Sequence, residues 1–145
     1  NTPKNIYNKP QNMFVADFIG SPSMNLLEGT LNNKVFTPNG SSNVKILLDK
    51  YEYIEESIEN RSTYLGIRPE HVYFEKINED CFSIKLKSEL VEYTGHEQII
   101  TFNFSEQQFL GKFSSTINIQ MDKEFDLYID LKQISLFDKN TRNRI

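Results

Sequence analysis

The sequence has 145 residues, a net charge of −4 and a hydrophobic fraction of 38%. A chain of this length suits one domain, or two small lobes that share a core. The acidic balance argues against a surface that binds phosphate groups. The single cysteine, Cys81, excludes an internal disulfide and favours a reducing, cytoplasmic setting. Because the chain lacks an initiator Met and opens within a helix signal, we expect a fragment of a longer protein.

The first 22 residues predict a helical connector. Thr2-Pro3 has the composition of a helix start, and Pro10 ends that helix and opens a second one over residues 10–19. Gly20-Ser-Pro-Ser23 then breaks the second helix. The apolar residues of the second helix share one face, on which we expect the connector to pack against another domain: Phe14, Val15, Phe18 and Ile19.

From Asn25 the pattern changes to strands. Residues 26–31, 34–37 and 43–49 predict a meander, with turns at Asn32-Asn33 and at Pro38-Asn-Gly-Ser41. Residues 50–60 instead have a helical period, with tyrosine and isoleucine on one side and glutamates on the other. We interpret this acidic face as a solvated surface rather than a cation site.

The stretch Tyr64–Val72 predicts a buried strand with a defined end. Gly66 interrupts an apolar run, which is typical of a position where another backbone or side chain comes close. Pro69 cannot donate to a strand ladder, so the strand ends there, and Glu70-His71 lie on a turn or a single helical turn.

The second half of the chain predicts further short strands. They are expected over residues 81–93, 98–104, 116–121, 125–131 and 133–137, with Thr94-Gly95-His96 as the first connecting turn. Some eight to ten short strands separated by turns indicate a mainly β fold, a barrel or small sandwich of the oligonucleotide/oligosaccharide-binding (OB) type. We assign residues 1–22 to the connector and residues 23–145 to an OB-like domain of two intertwined β lobes.

Motifs for catalysis are not apparent. The Gly111-Lys112 pair lacks the first glycine and the Ser/Thr of a phosphate-binding loop. Cys81, His71 and His96 are too scattered for zinc, and we interpret Cys81 as a half-buried strand residue and the histidines as exposed turn residues. Glu89, Glu92 and Glu97 are interpreted as outward-facing strand residues rather than as a catalytic pair.

Two binding functions remain open alternatives. A small-oxyanion module would need converging hydroxyls, for which Ser41-Ser42 and Ser114-Ser115-Thr116 are the candidate clusters. A single-strand nucleic-acid binder of the OB type would stack bases on exposed aromatic rings. The acidic balance favours packing over base stacking for the candidate rings, which are Tyr51, Tyr53, Tyr93 and Tyr128.

Several motifs in order resemble one family. Asn1-Thr-Pro-Lys-Asn-Ile-Tyr-Asn-Lys-Pro10, followed by Phe14-Val-Ala-Asp-Phe-Ile-Gly-Ser-Pro-Ser-Met-Asn25, resembles the exit from the nucleotide-binding domain of bacterial ABC-importer ATPases. Leu65-Gly-Ile-Arg-Pro-Glu-His71 resembles the signature of the C-terminal regulatory (TOBE/OB-like) domain in the maltose/multiple-sugar subgroup. Val91-Glu-Tyr-Thr-Gly-His-Glu97 and Leu136-Phe-Asp138 resemble a later strand and turn and the end of that domain.

The resemblance implies a regulatory and dimerisation domain of a carbohydrate importer's ATP-binding subunit. Such a domain pairs with its twin, contacts its own ATPase domain, acts indirectly on the membrane permease subunits and can receive a regulatory protein. The subunit would be cytoplasmic and peripheral to the plasma membrane. ATP and Mg would belong to the missing domain, so this fragment has no cofactor, metal or catalytic residue of its own, and no nucleic-acid partner is expected. By position, the resemblance places partner contacts near Gly66, Arg68, Glu70, Glu92 and Phe137.

Overall fold

The computed structural model describes Asn12 and residues 23–40, 43–55 and 60–145, and this part of the chain is mainly β. A short 3-10 helix, Pro69–His71, follows the fourth strand, and another, Leu131–Gln133, precedes the last. The strands of the described part are β1 (Asn25–Asn32), β2 (Val35–Pro38), β3 (Ile46–Leu47), β4 (Arg61–Ile67), β5 (Cys81–Thr94), β6 (Glu97–Phe104), β7 (Gln107–Ser114), β8 (Glu124–Asp130) and β9 (Ile134–Asp138).

The strands form two antiparallel sheets. One has the order β3-β2-β1-β4-β9 and the other the order β7-β6-β5-β8. The alternation of buried and less buried residues along strands such as β1, β6 and β7 gives each sheet one apolar inner face. The two inner faces contribute to one shared core, which contains Leu27, Leu65 and Leu136 from the first sheet and Ile100, Phe102 and Leu127 from the second.

Two side-chain amides join the sheets where no strand ladder connects them. Asn25 on β1 donates to the carbonyls of Ile67 (3.0 Å) and Leu110 (2.8 Å), and accepts from the Leu110 N–H at 2.8 Å. Gln107 on β7 accepts from the Glu28 N–H at 2.9 Å and donates to the Glu28 carbonyl at 3.1 Å. Each amide therefore makes the hydrogen bonds to the neighbouring strand that a paired backbone would otherwise make. The two sheets are joined in this way along the edge where β1 meets β7.

The mainly β, OB-type prediction is confirmed. The β5–β6 hairpin agrees with its prediction to within one residue at each end, and its turn contains Gly95 with a φ of +68°. The predicted end at Pro69 is also confirmed, because β4 ends at Ile67 and the 3-10 helix begins at Pro69. The connector, residues 1–22, lies outside the described residues apart from Asn12, which forms a β-bridge with Asn143.

Two local predictions are wrong because side-chain contacts override the sequence pattern. In the region predicted as a strand over 43–49, only Ile46–Leu47 pairs with a neighbour. Residues 50–55 of the predicted helix are turns and bends. The Tyr51 hydroxyl accepts from the Leu136 N–H at 3.2 Å, and the Tyr53 hydroxyl donates to the Leu48 carbonyl at 2.9 Å. These contacts hold the segment across β9 in an irregular path.

A third prediction is also wrong. A strand is predicted over residues 116–121, whereas the strand of this region is β7, at Gln107–Ser114. On β7 the inward position between Phe109 and Phe113 is Gly111, which breaks the apolar alternation. A Cβ there would lie 2.7 Å from the Phe113 ring and 3.2 Å from the Phe102 ring, so a side chain would not fit. Residues 116–121 are instead irregular, and the buried Gln98 and Ser88 side chains donate to their carbonyls.

We expect Asn25→Ala to lower the free energy of unfolding by about 2–3 kcal/mol, because the backbone groups of Leu110 and Ile67 lose their partners. Urea denaturation of the purified chain measures the change. Asn118→Ala, at an exposed position, is the control and should change the stability by less than about 0.5 kcal/mol. Equal stability of both variants would show that the Asn25 amide does not hold the sheets together.

Candidate partner surfaces around Gly66 and Glu92

The structure brings Gly66 and Phe137 together on the outer face of the five-stranded sheet. Gly66 is paired with Leu26 on β1 and with Ser135 on β9. A Cβ on Gly66 would lie 2.5 Å from the Met24 sulfur and 3.1 Å from the Phe137 ring. The predicted close approach at Gly66 is thus confirmed. Met24 and Phe137 form a small buried cluster of their own, which is separate from the main core.

Charged residues surround this outer cluster, which we define as Met24, Leu26, Tyr64 and Phe137. The Arg142 guanidinium lies 5.6 Å from the centre of the Tyr64 ring, and Lys139 forms an ion pair with Glu28. Arg61 contacts Asp138 at 3.2 Å and Glu55 at 2.9 Å.

Arg68, Glu70 and His71 lie at the end of β4 and on the following 3-10 helix. Arg68 is only 1% exposed, and burial lowers the pKa of its guanidinium from the ordinary value. Glu70 is partly exposed. His71, which the sequence predicts to be exposed, is half-buried, and this prediction is wrong because the 3-10 helix packs against β7. His96, by contrast, is exposed in the hairpin turn as predicted.

Glu92 lies on the other sheet and is exposed. It is paired with Ile99 on β6, and two residues before it Leu90 is 63% exposed. Cross-strand partners share a face of an antiparallel sheet, so Ile99 and Leu110, both partly exposed, lie on the same outer face as Glu92. The sequence motif indicates the glutamate but not the apolar residues around it, because their shared face depends on strand pairing.

The predicted partner residues therefore occupy two faces. Gly66, Arg68 and Phe137 are buried within the chain, whereas Glu70 and Glu92 are accessible to a partner to different degrees. The connector residues Phe14, Val15, Phe18 and Ile19 lie outside the described part of the chain.

The alternatives from the sequence find little geometric support in the described residues. Ser114 and Thr116 share a hydrogen bond of 2.9 Å between their hydroxyls, and Ser41-Ser42 lies outside those residues. Tyr51 and Tyr53 are neighbours, whereas Tyr93 is on β5 and Tyr128 on β8.

In the described part of the chain, no group of three His, Cys, Asp or Glu side chains is placed to hold a metal ion. None of its helices has the length and apolar character to cross a membrane.

These features define a small two-sheet β domain of the OB class. Residues 20–72 match the family model of the MalK OB fold domain. The resemblance found in the sequence motifs is confirmed.

The whole chain is also similar to ATP-binding subunits of importers. It is 34% identical to the trehalose/maltose import ATP-binding protein MalK of Thermococcus litoralis over 99% of the chain and 40% of the relative. It is 32% identical to the oligosaccharides import ATP-binding protein MsmX of Bacillus subtilis, again over 99% of the chain and 40% of the relative. The sn-glycerol-3-phosphate import ATP-binding protein UgpC of Escherichia coli is 31% identical over 99% of the chain and 39% of the relative. The chain thus spans about two fifths of the length of these relatives.

We expect Gly66→Ala to destabilise the chain by about 1–3 kcal/mol, because the new methyl group overlaps the Met24 sulfur. Since that sulfur is near the end of a flexible side chain, Met24→Ala should relieve part of the cost. The double variant should then be more stable than the sum of the single changes predicts, by at least about 0.5 kcal/mol in urea denaturation.

Gly29→Ala is the matched control for this cycle. Its Cβ would lie 2.4 Å from the Thr37 backbone carbonyl oxygen and 2.5 Å from the Phe36 ring, remote from Met24. The same Met24→Ala change should give no relief there. Strict additivity at both glycines would contradict the proposed packing of Met24 on Gly66.

We expect His71 to make the chain less stable as the pH falls below about 6.5. Burial lowers the pKa of His71 from its ordinary value of 6.5, so the unfolded chain takes up the proton first and is favoured at acidic pH. Above that range His71 is neutral in both states and contributes no pH dependence. Unfolding free energies of the wild type and His71→Gln, measured between about pH 5 and 8, should differ in slope only on the acidic side. Parallel curves would contradict the buried neutral histidine.

Proposed function

We propose that the chain is the regulatory and dimerisation domain of the ATP-binding subunit of a carbohydrate ABC importer. The observation that carries this proposal is the similarity of 99% of the chain to such subunits, at 34% and 32% identity for relatives named for import of trehalose/maltose and of oligosaccharides. The match of residues 20–72 to the MalK OB fold domain supports it. The solute class is carbohydrate or a related compound, since the relative named for glycerol phosphate is nearly as similar.

The proposed action is mechanical. Two copies of the domain remain paired while the ATPase domains of the two subunits open and close, which raises the effective concentration of one ATPase domain for the other. A closed two-sheet fold with a shared core suits this role, because a rigid domain transmits force without changing shape.

The same proposal assigns the chemistry to the rest of the subunit. ATP and Mg would bind in the ATPase domain, and the present chain would have no catalytic residue, metal or cofactor. The subunit would work at the cytoplasmic face of the plasma membrane, in contact with the permease subunits. Through Phe14, Val15, Phe18 and Ile19 the connector would pack against the ATPase domain. Nucleic acid is not among the proposed partners.

Partner contacts are proposed at the accessible members of the predicted set. Glu92 is the strongest candidate, because exposed Leu90 and partly exposed Ile99 surround its carboxylate with apolar surface. Glu70, on the 3-10 helix, is the second candidate. Gly66, Arg68 and Phe137 would act indirectly, since their packing determines the shape of the surface above them.

We expect the chain to dimerise in solution. Light scattering over a concentration series should give a mass that rises from the 17.0 kDa of one chain toward twice that value. Glu92→Arg should shift the transition to a higher concentration, because it reverses a charge within the proposed contact surface.

Glu79→Arg is the matched control, since its side chain is 94% exposed in a loop outside that surface. A strict monomer at all concentrations would overturn self-association of this domain and leave regulator docking as its proposed role. An equal effect of both substitutions would remove Glu92 from the contact surface.

A further inference from the structure

A groove that the sequence analysis did not anticipate lies beside the last strand. Its volume is about 560 Å³, within the range of about 300–1,000 Å³ that is typical of small-molecule sites. Tyr51, Tyr53 and Ile54 line one wall. Lys132 and Arg144 also line the groove, next to the start of β9.

The two tyrosine rings form a fixed aromatic platform. Their centres are 4.9 Å apart and their planes are inclined by 78°. The Tyr51 hydroxyl accepts from the Leu136 N–H, and the Tyr53 hydroxyl donates to the Leu48 carbonyl, so both rings are oriented without a ligand. Burial raises the pKa of Tyr53 to about 12, and the ring is therefore neutral at pH 7. Ile54, 66% exposed, extends the platform with apolar surface.

Cations collect around this platform. The Arg144 guanidinium lies 5.8 Å from the centre of the Tyr51 ring and donates to the Ser135 hydroxyl at 2.6 Å. The Lys34 ammonium lies 5.3 Å from the centre of the Tyr53 ring, and Lys50 lines the groove.

The balance of charge in the groove is positive although the chain as a whole is acidic. Lys132 is neutralised by Asp80 at 3.2 Å. Within the part of the chain that the structure describes, no carboxylate forms an ion pair with Lys34, Lys50 or Arg144. Among the described residues that line the groove, three are cationic, Lys50, Lys132 and Arg144, and two are acidic, Glu52 and Asp80.

We propose that this groove binds a small phosphorylated ring compound. The ring lies against Tyr53 and Ile54, since a flat or apolar ring face gains contact energy on an aromatic platform. The phosphate lies against Arg144 and Lys50, because guanidinium and ammonium groups donate charge-assisted hydrogen bonds to phosphate oxygens. The shared chemistry is a phosphate attached to a compound with one ring face, and the titration below distinguishes a nucleobase source from a sugar source.

This ligand site goes beyond the proposed function and uses neither Glu70 nor Glu92. Its test is a direct binding measurement on the 145-residue chain, which does not depend on dimerisation, so either proposal can fail alone.

The experiment is an NMR titration of the isotope-labelled chain with AMP, glucose 6-phosphate, glucose and inorganic phosphate. We expect AMP or glucose 6-phosphate to shift the backbone signals of Tyr51, Tyr53, Ile54 and Arg144, and the tighter of the two identifies the source of the ring. Glucose and inorganic phosphate should each bind at least about tenfold more weakly, because each supplies half of the contacts. Added salt should weaken binding of the phosphorylated ligand.

Variants separate the two halves of the site. Lys50→Gln should weaken binding about threefold, as expected for one exposed charge. Tyr53→Leu should weaken it about tenfold, whereas Tyr53→Phe keeps the ring and should retain binding. Lys76→Gln, at an exposed loop position, is the matched control and should have no effect. Because the Lys50 side chain is exposed, that variant remains informative if Tyr53→Leu does not fold.

Three results would overturn the proposal. The first is the absence of shifts with both phosphorylated compounds. The second is equal binding of inorganic phosphate and the ring phosphates, which would indicate a general anion effect. The third is equal weakening by Lys50→Gln and Lys76→Gln, which would place the ligand outside the groove.

Discussion

The fold depends on the pairing of side-chain amides with backbone groups where the two sheets meet. β1 and β7 belong to different sheets, and Asn25 and Gln107 bridge them by offering both a donor and an acceptor to a neighbouring strand. An amide is suited to this joint because it reproduces the hydrogen-bonding groups of the peptide backbone. A hydroxyl or a carboxylate could make only some of these hydrogen bonds. The two sheets therefore enclose the shared core at this edge although no continuous strand ladder connects them.

Two glycines determine how closely neighbouring side chains pack on the faces of the two sheets. Gly66 admits Met24 and Phe137 on the outer face, and Gly111 admits the rings of Phe102 and Phe113 on the inner one. Both positions lie within strands, where glycine is costly unless close packing compensates. The aromatic and thioether side chains that fill the space supply that compensation. Met24 and Phe137 in the outer cluster thus support the packing of this sheet.

The proposed functions occupy different parts of this rigid body. Apolar surface around Glu92 is a feature of the four-stranded sheet, whereas the aromatic and cationic groove lies where residues 50–54 approach β9. Rigid packing between them means that a partner and a ligand can each bind a preformed surface at low entropic cost. The match to the MalK OB fold domain covers residues 20–72, which form β1 to β4 and the first 3-10 helix.

Four features could be predicted from the amino-acid pattern alone: the mainly β class, the β5–β6 hairpin, the end of β4 before Pro69 and the close approach at Gly66. These features follow from local chemistry: alternation of side chains, the missing N–H of proline and the missing Cβ of glycine. Other features depend on how segments of the chain pack together: β7, the irregular paths of residues 50–55 and 116–121, and the faces on which Glu92 and the tyrosine pair lie. For the irregular paths the deciding contacts join residues far apart in the chain, as with Tyr51 and Leu136 or Ser88 and Gln120. Local sequence patterns do not reveal such contacts, because the contacts stabilise the fold only when distant parts of the chain pack together.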